Sequence, residues 1–219
     1  MAHPNRLDID KIAASLKTVQ DNFDRINATL DTPRDPMTDE VRRNMIAGYR
    51  EVDKILGRDL DLFRMGESAR LLELNILVLC GNDEAKRRDF AHHIEETRER
   101  FYDQPGGGIG VLVEWLQHHK NANPWRRAAG AYIHILSQPQ LFIEGNHRTG
   151  SLIMSYLLAR DGEPPFVLSV ENAKAYFDPS TLVKESKRHG LDLLTKLPKL
   201  SRRLAKLLKE NAKKRHLSA

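Results

Sequence analysis

Leu141-Phe142-Ile143-Glu144-Gly145-Asn146-His147-Arg148-Thr149-Gly150 follows the turn Ser137-Gln138-Pro139-Gln140 and runs directly into the apolar stretch Ser151-Leu152-Ile153-Met154-Ser155-Tyr156-Leu157-Leu158. A Gly-Asn pair between an acid and an arginine, at the mouth of an apolar helix, carries the chemistry of an anion site. The first N–H groups of a helix have no partners inside it, and the helix dipole places partial positive charge there. Gly145 lets backbone approach closely, Asn146 and Arg148 add donors, and Glu144 could hold a metal ion against the anion. A plainer alternative is a Gly-Asn turn that starts a core helix, with Glu144 and Arg148 merely solvated. The pattern alone leaves both open.

Working outward, 219 residues suffice for one sizeable domain with appendages. Forty per cent apolar against thirty per cent charged residues belongs to a globular chain rather than a disordered one. Leu, Ile, Ala, Lys, Arg and Glu dominate over aromatics, which favours an all-α fold. The net charge of +5 sits largely at the C-terminus, so it says little about the central stretch. The single cysteine, Cys80, excludes an intrachain disulfide framework and reads as a buried thiol in the run Ile76 to Cys80. No apolar signal core opens the chain, and no run approaches the ~20 residues of a membrane span. These features fit a cytoplasmic protein, and equally a secreted effector without a signal peptide.

Taken in order, Ile9, Ile12, Leu16, Val19, Phe23, Ile26 and Leu30 alternate by three and four, which predicts one helix ended by Pro33. Asp8 or Asp10 can cap it, and its stripe can dock on the domain or pair with another chain. Thr38-Asp39-Glu40 starts a second helix that Gly57 stops. Residues 67 to 80 read as a buried helix. Asn82-Asp83 opens another, with Phe90, Ile94, Thr97 and Phe101 inward. Pro105-Gly106-Gly107-Gly108-Ile109-Gly110 lacks the context of a P-loop or dinucleotide fingerprint and reads as a loop or small β-hairpin flap, followed by a helix from Val111 to His119 with Trp115 and Leu116 inward. Asn123-Pro124 is a capped helix start, and that helix ends before Pro139. Beyond the central stretch, Asp161-Gly162 stops a helix and Pro164-Pro165 delays the next. Asp178-Pro179-Ser180 predicts an interruption, with helices resuming from Thr181 to Leu194 and from about Pro198 to Asn211. Residues 1–66 are read as helices packed on a core domain of 67–195, with 196–219 a basic amphipathic helix and a frayed tail.

The run Gln140-Leu141-Phe142-Ile143-Glu144-Gly145-Asn146-His147-Arg148-Thr149-Gly150-Ser151 resembles the Fic (Fido-fold) loop His-Pro-Phe-x-(Asp/Glu)-Gly-Asn-(Gly/Lys)-Arg-x-x-Arg. The likeness extends over roughly residues 83 to 176, from the helix through Ala128-Ala129 to the glycine stop and proline pair near Gly162. The resemblance implies an all-α Fic-like domain in which Phe142 anchors the loop, Glu144 binds magnesium and Gly145 with Asn146 forms an anion hole. It implies that Arg148 holds phosphate oxygens of a nucleotide, with ATP the first choice, and that a protein hydroxyl is the target. Members of the family typically transfer AMP, and others UMP, phosphocholine or phosphate.

Three departures alter what can be carried over. Gln140 stands where the family has its catalytic histidine. An amide has no titratable group near neutral pH, and loss of a general base typically costs ~100- to 10,000-fold in rate. His147 occupies the place of the second glycine or of a lysine, and is the nearest substitute base in the loop. Ser151 replaces the arginine that grips the outer phosphate. The family's inhibitory Ser/Thr-x-x-x-Glu-Gly/Asn pattern is absent, because Ser68 and Glu73 are one residue too far apart and Leu74 follows. The chain therefore reads first as a Fic-like nucleotide-binding or regulatory protein impaired in transfer. The alternative is an active divergent transferase that uses a substitute base.

Other candidates have plainer readings. His92-His93 and His118-His119 lack metal-site spacing and read as surface residues. His134 could approach Gln140 from the preceding helix, although a packed histidine is commoner. The tail helix carries Leu197, Leu200, Leu204 and Leu207 or Leu208 on one side. Its cations could make a weak contact with nucleic acid, an anionic membrane or an acidic protein, so that the chain acts through its tail. The simpler reading packs those leucines on the domain.

Overall fold

The computed structural model describes residues 6–188, 192–212 and 216–217. The protein is helical throughout: α1 (Ile9–Asp21), α2 (Phe23–Asn27), α3 (Asp39–Gly57), α4 (Ala69–Cys80), α5 (Glu84–Asp89), α6 (Ala91–Asp103), α7 (Ile109–His118), α8 (Pro124–Leu136), α9 (Asn146–Arg160), α10 (Ala173–Glu185) and α11 (Leu197–Glu210), with a π-helical turn at Asp192–Lys196 leading into α11. Among the described residues no strand forms. Residues 105–107 make a turn that leads straight into α7, so the glycine-rich stretch expected as a loop or hairpin is a loop here.

The centre is α9. Every residue from Thr149 to Ala159 is buried, as a helix apolar on all sides requires. It packs most closely on α8, and α3 and α4 cover other sides. Gly150 allows the α8 contact, since a Cβ there would lie 2.8 Å from the Tyr132 ring. The next layer is α1 on α3, and α11 on α8 and α10. Side chains from all three sequence segments, from Leu7 to Leu208, join one apolar core. Tyr49 and Ser155 both donate to Phe166 O, at 2.7 Å each, which fixes the extended piece after the proline pair against α3 and α9.

Several boundaries differ from the sequence reading for local reasons. The first helix is two helices, broken at Asn22, whose Nδ2 turns back to Thr18 O (2.8 Å). The chain has left the helix by Ala28, well before Pro33. Its stripe docks on this same domain, and Asp8 is the cap, accepting from Lys11 N (3.0 Å). The expected interruption at Asp178-Pro179-Ser180 does not occur, because α10 runs through Pro179. Ser180 Oγ donates to Phe177 O (2.6 Å), and Arg34 Nη2 donates to the same carbonyl (3.0 Å). Burial of Tyr176, Pro179, Ser180 and Val183 on one face holds the helix together. The helix expected from Thr181 to Leu194 instead stops at Glu185, and its 189–191 portion lies outside the described residues. The tail expected to fray folds back in part: His216 is buried beside Ser15 Oγ (3.0 Å), and its carbonyl accepts from Asp8 N (2.9 Å). The leucines of α11 are buried and Lys199, Arg203, Lys206 and Lys209 are exposed, as the packed reading of that helix expects. No helix among the described residues is long and apolar enough to cross a membrane.

Candidate functional site

The segment between α8 and α9 is a loop held from four directions. Phe142 is fully buried, stacked on Phe101 with ring centroids 5.5 Å apart and planes 16° apart. Asn146 fastens the loop to itself: its Oδ1 accepts from Phe142 N (2.9 Å) and its Nδ2 donates to Phe142 O (2.8 Å). Arg100 Nε donates to Gln140 O (2.9 Å), and Arg188 donates to the carbonyls of His134 and Pro139. From α4, Asn75 Nδ2 reaches Glu144 O (2.9 Å) and Thr149 Oγ1 (3.0 Å).

Gly145 turns this loop into α9 with φ +71°, a conformation costly for any residue bearing a Cβ. A Cβ would also lie 2.9 Å from Asn75 Nδ2. Gly145 is the residue before the helix, and no side chain caps it. The N–H groups of the first turn are thus left for an external acceptor. Glu144 is exposed at this mouth and its carboxylate makes no hydrogen bond among the described residues. No cluster of three or more metal-ligating side chains occurs among them either. A magnesium ion here would depend on Glu144 together with phosphate and water oxygens, which suits its habit of binding through one or two carboxylates.

Gln140 does not present a free side chain. Its Nε2 donates to Leu136 O (3.1 Å), and its Oε1 lies 3.4 Å from Asn146 Nδ2. His147 turns away from the loop into the domain, where Nδ1 lies 2.9 Å from Tyr132 Oη and Nε2 is buried without a partner. Burial, with smaller contributions from Arg34, Lys184 and Arg148, pushes its pKa down to about 3, so the ring is neutral near neutral pH. Arg148 donates from Nη1 to Val78 O (2.7 Å). Burial lowers its pKa, opposed by the fields of Glu144, Glu40 and Asp35. Ser151 Oγ is spent on Arg148 O (2.7 Å).

The sequence-predicted residues therefore fall on two sides of the start of α9. Gln140, Glu144, Gly145 and Asn146 belong to the loop. His147, Arg148 and Ser151 line a separate cavity of about 320 Å³ beneath it, walled by α1, α3, α10 and the 28–38 linker. Arg34 enters this cavity from the linker, with Nη2 2.6 Å from Thr181 Oγ1. His134, considered as a base, packs its ring on Trp115 (5.0 Å). His92, His118 and His119 are exposed as expected, while His93 is half-buried.

Sequence reasoning missed Asn75, Tyr132 and Arg34. Asn75 carried a signal, being a lone amide within the apolar run Leu71 to Leu79; a buried polar group there must have partners. Replacing it with leucine strands the Glu144 carbonyl. Asn75→Leu is expected to cost about 1–3 kcal/mol in chemical denaturation; an unchanged midpoint would show that this contact does not hold the loop. Arg34 sits in Pro33-Arg34-Asp35-Pro36, whose prolines pre-order the linker. Tyr132 had no distinguishing signal on an ordinary core helix. Comparison with known proteins found no matching family and no matching curated relative.

Proposed function

We propose that the loop from Gln140 to Ser151 is a Fic-like phosphate-binding loop, and that the chain is a nucleotide-binding, regulatory protein impaired in group transfer. The observation that carries this reading is the uncapped start of α9 behind Gly145, with exposed Glu144 before it and the cation Arg148 one turn inside. In that arrangement the first-turn N–H groups would take phosphate oxygens and Glu144 would share a magnesium ion with the same phosphates, while Arg148, which lines the cavity beneath the helix and donates to Val78 O, would turn toward the loop to join them. ATP is the first nucleotide to test.

The impairment follows from Gln140. Its amide acts as a strut between Leu136 O and Asn146, and cannot accept a proton from an attacking protein hydroxyl. Ser151, committed to a backbone carbonyl, supplies no charge for an outer phosphate. The competing reading is an active divergent transferase. Its only support is His147 Nε2, an unpartnered neutral imidazole nitrogen next to Arg148. A base with a pKa near 3 is weak, and this ring faces the cavity under the helix.

Calorimetry with magnesium and each nucleoside triphosphate or diphosphate tests the binding. At least one should bind, Arg148→Ala should weaken it by about tenfold or more, and Arg148→Lys, which keeps the charge, by less. No heat with any of them overturns the proposal. Labelled ATP, GTP, UTP and CTP in lysate, with the unaltered protein beside Gln140→His, then tests transfer. Label only with the variant supports impairment, and label with the unaltered protein supports the transferase. Binding without label in either supports a regulatory role.

A further inference from the structure

On the other side of α8 lies a second cavity, of about 380 Å³, closed by α7, α8 and the start of α11. Among the described residues its lining holds Arg126, Arg188 and Arg202 and no carboxylate. Arg126 is exposed and forms no ion pair among the described residues, and Arg202 only donates from Nε to Pro198 O (3.2 Å). Arg188 spends its terminal nitrogens on the carbonyls of His134, Pro139 and Gly106, leaving Nε buried and unpartnered. His134 Nδ1 is also buried here without a partner. Three guanidinium groups around one recess, with no counter-charge in its wall, focus a positive potential that a bound anion would relieve.

Apart from Ser201, the rest of the wall is apolar or aromatic. Trp115 lies against Gly130 so closely that a Cβ there would stand 1.9 Å from the indole. The His119 ring stacks on the indole at 4.1 Å, and Ile133 and Leu197 complete the surface. A bare inorganic anion would leave that wall wet. The volume suits a single mononucleotide or aryl carboxylate.

We propose that this cavity binds a small organic anion with an aromatic body, its carboxylate or phosphate held by Arg126 and Arg202 and its ring set against Trp115 and His119. The site is independent of the Gln140–Ser151 loop. It gives the basic α11 helix a specific task, in which Arg202 and Leu197 form one wall of a ligand cavity.

Trp115 reports on the site directly, since the only other tryptophan, Trp125, is buried and does not line it. In the Trp125→Phe protein, emission excited at the red edge of indole absorption is followed during titration with phenylacetate, with uridine monophosphate and with inorganic phosphate. A saturable change is expected with at least one organic probe. Phenylacetate alone would identify a carboxylate site, uridine monophosphate alone a phosphate site. Arg126→Ala and Arg202→Ala, both at exposed positions, should each weaken it by about tenfold, while Arg148→Ala should leave it unchanged. No saturable change with either organic probe overturns the proposal. So does inorganic phosphate binding as tightly as the better organic probe, or a response indifferent to both arginine variants. Loss of the response in Arg148→Ala would place the probe at the other site and also overturn it.

Discussion

Phe142→Ala is expected to lower the unfolding free energy by about 3–5 kcal/mol, and to abolish the nucleotide binding proposed for the loop although Phe142 itself is fully buried. The side chain has no exposed surface, and its stack on Phe101 adds about 0.5–1.5 kcal/mol beyond burial. Its amide and carbonyl are the two groups that Asn146 holds, so a cavity at Phe142 frees the residue that begins α9. Phe142→Leu, which keeps most of the volume, is expected to cost less than half as much and to retain binding. Urea unfolding and calorimetry on the two variants decide the matter. Stability within about 1 kcal/mol of the parent in Phe142→Ala would remove the claim that this ring anchors the loop.

The same residue shows why the fold was easier to read than the site. Helix existence came from the spacing of apolar side chains, and from punctuation such as Asn123-Pro124 and Asp161-Gly162, both of which stand where expected. These are local rules. Where tertiary contacts override them, reading fails: Pro179 stays inside α10 because one face of that helix is buried, and Arg34, far away in sequence, ties Phe177, Ser180 and Thr181 together. The site depends on such distant partners. That Asn75 would hold the Glu144 carbonyl and Arg100 that of Gln140 is invisible in residue order. So is the turning of His147 inward to Tyr132, which separates it from the loop that its position suggests.

The side chain of Gln140 has a structural role of its own in the loop. A neutral histidine at this position would also carry one donor and one acceptor, but on opposite sides of a rigid ring rather than on one amide carbon, so it could not bridge Leu136 O and Asn146 in the same way. Gln140→His therefore exchanges a loop brace for a base. Its effect on stability and its effect on transfer are separable readouts of the two roles.

Acid should destabilise this protein in part through the inward-facing imidazoles of His134 and His147. Burial holds His134 and His147 at about 3, against an ordinary value of 6.5. Arg188 and His119 add to the effect on the first, and Arg34, Lys184 and Arg148 on the second. Both folded values are depressed, so the neutral ring is favoured on folding. That stability is fully present above pH 6.5 and is lost as pH falls toward 3, where the unfolded chain binds protons that the folded chain refuses. At about pH 5 the loss amounts to about 2 kcal/mol for each ring. The aspartates with lowered values, such as Asp53 beside Arg6 and Asp178 beside Lys174, act in a separate window, below their ordinary 3.8. Between pH 6.5 and 5 the slope therefore belongs to the histidines. His147→Gln retains a partner for Tyr132 Oη and removes one titrating group, so the fall in urea midpoint over this interval should be roughly half that of the parent. Adding His134→Gln should reduce it further. An undiminished slope in the double variant would mean that neither ring is sealed from solvent, and that both titrate as they do in the unfolded chain.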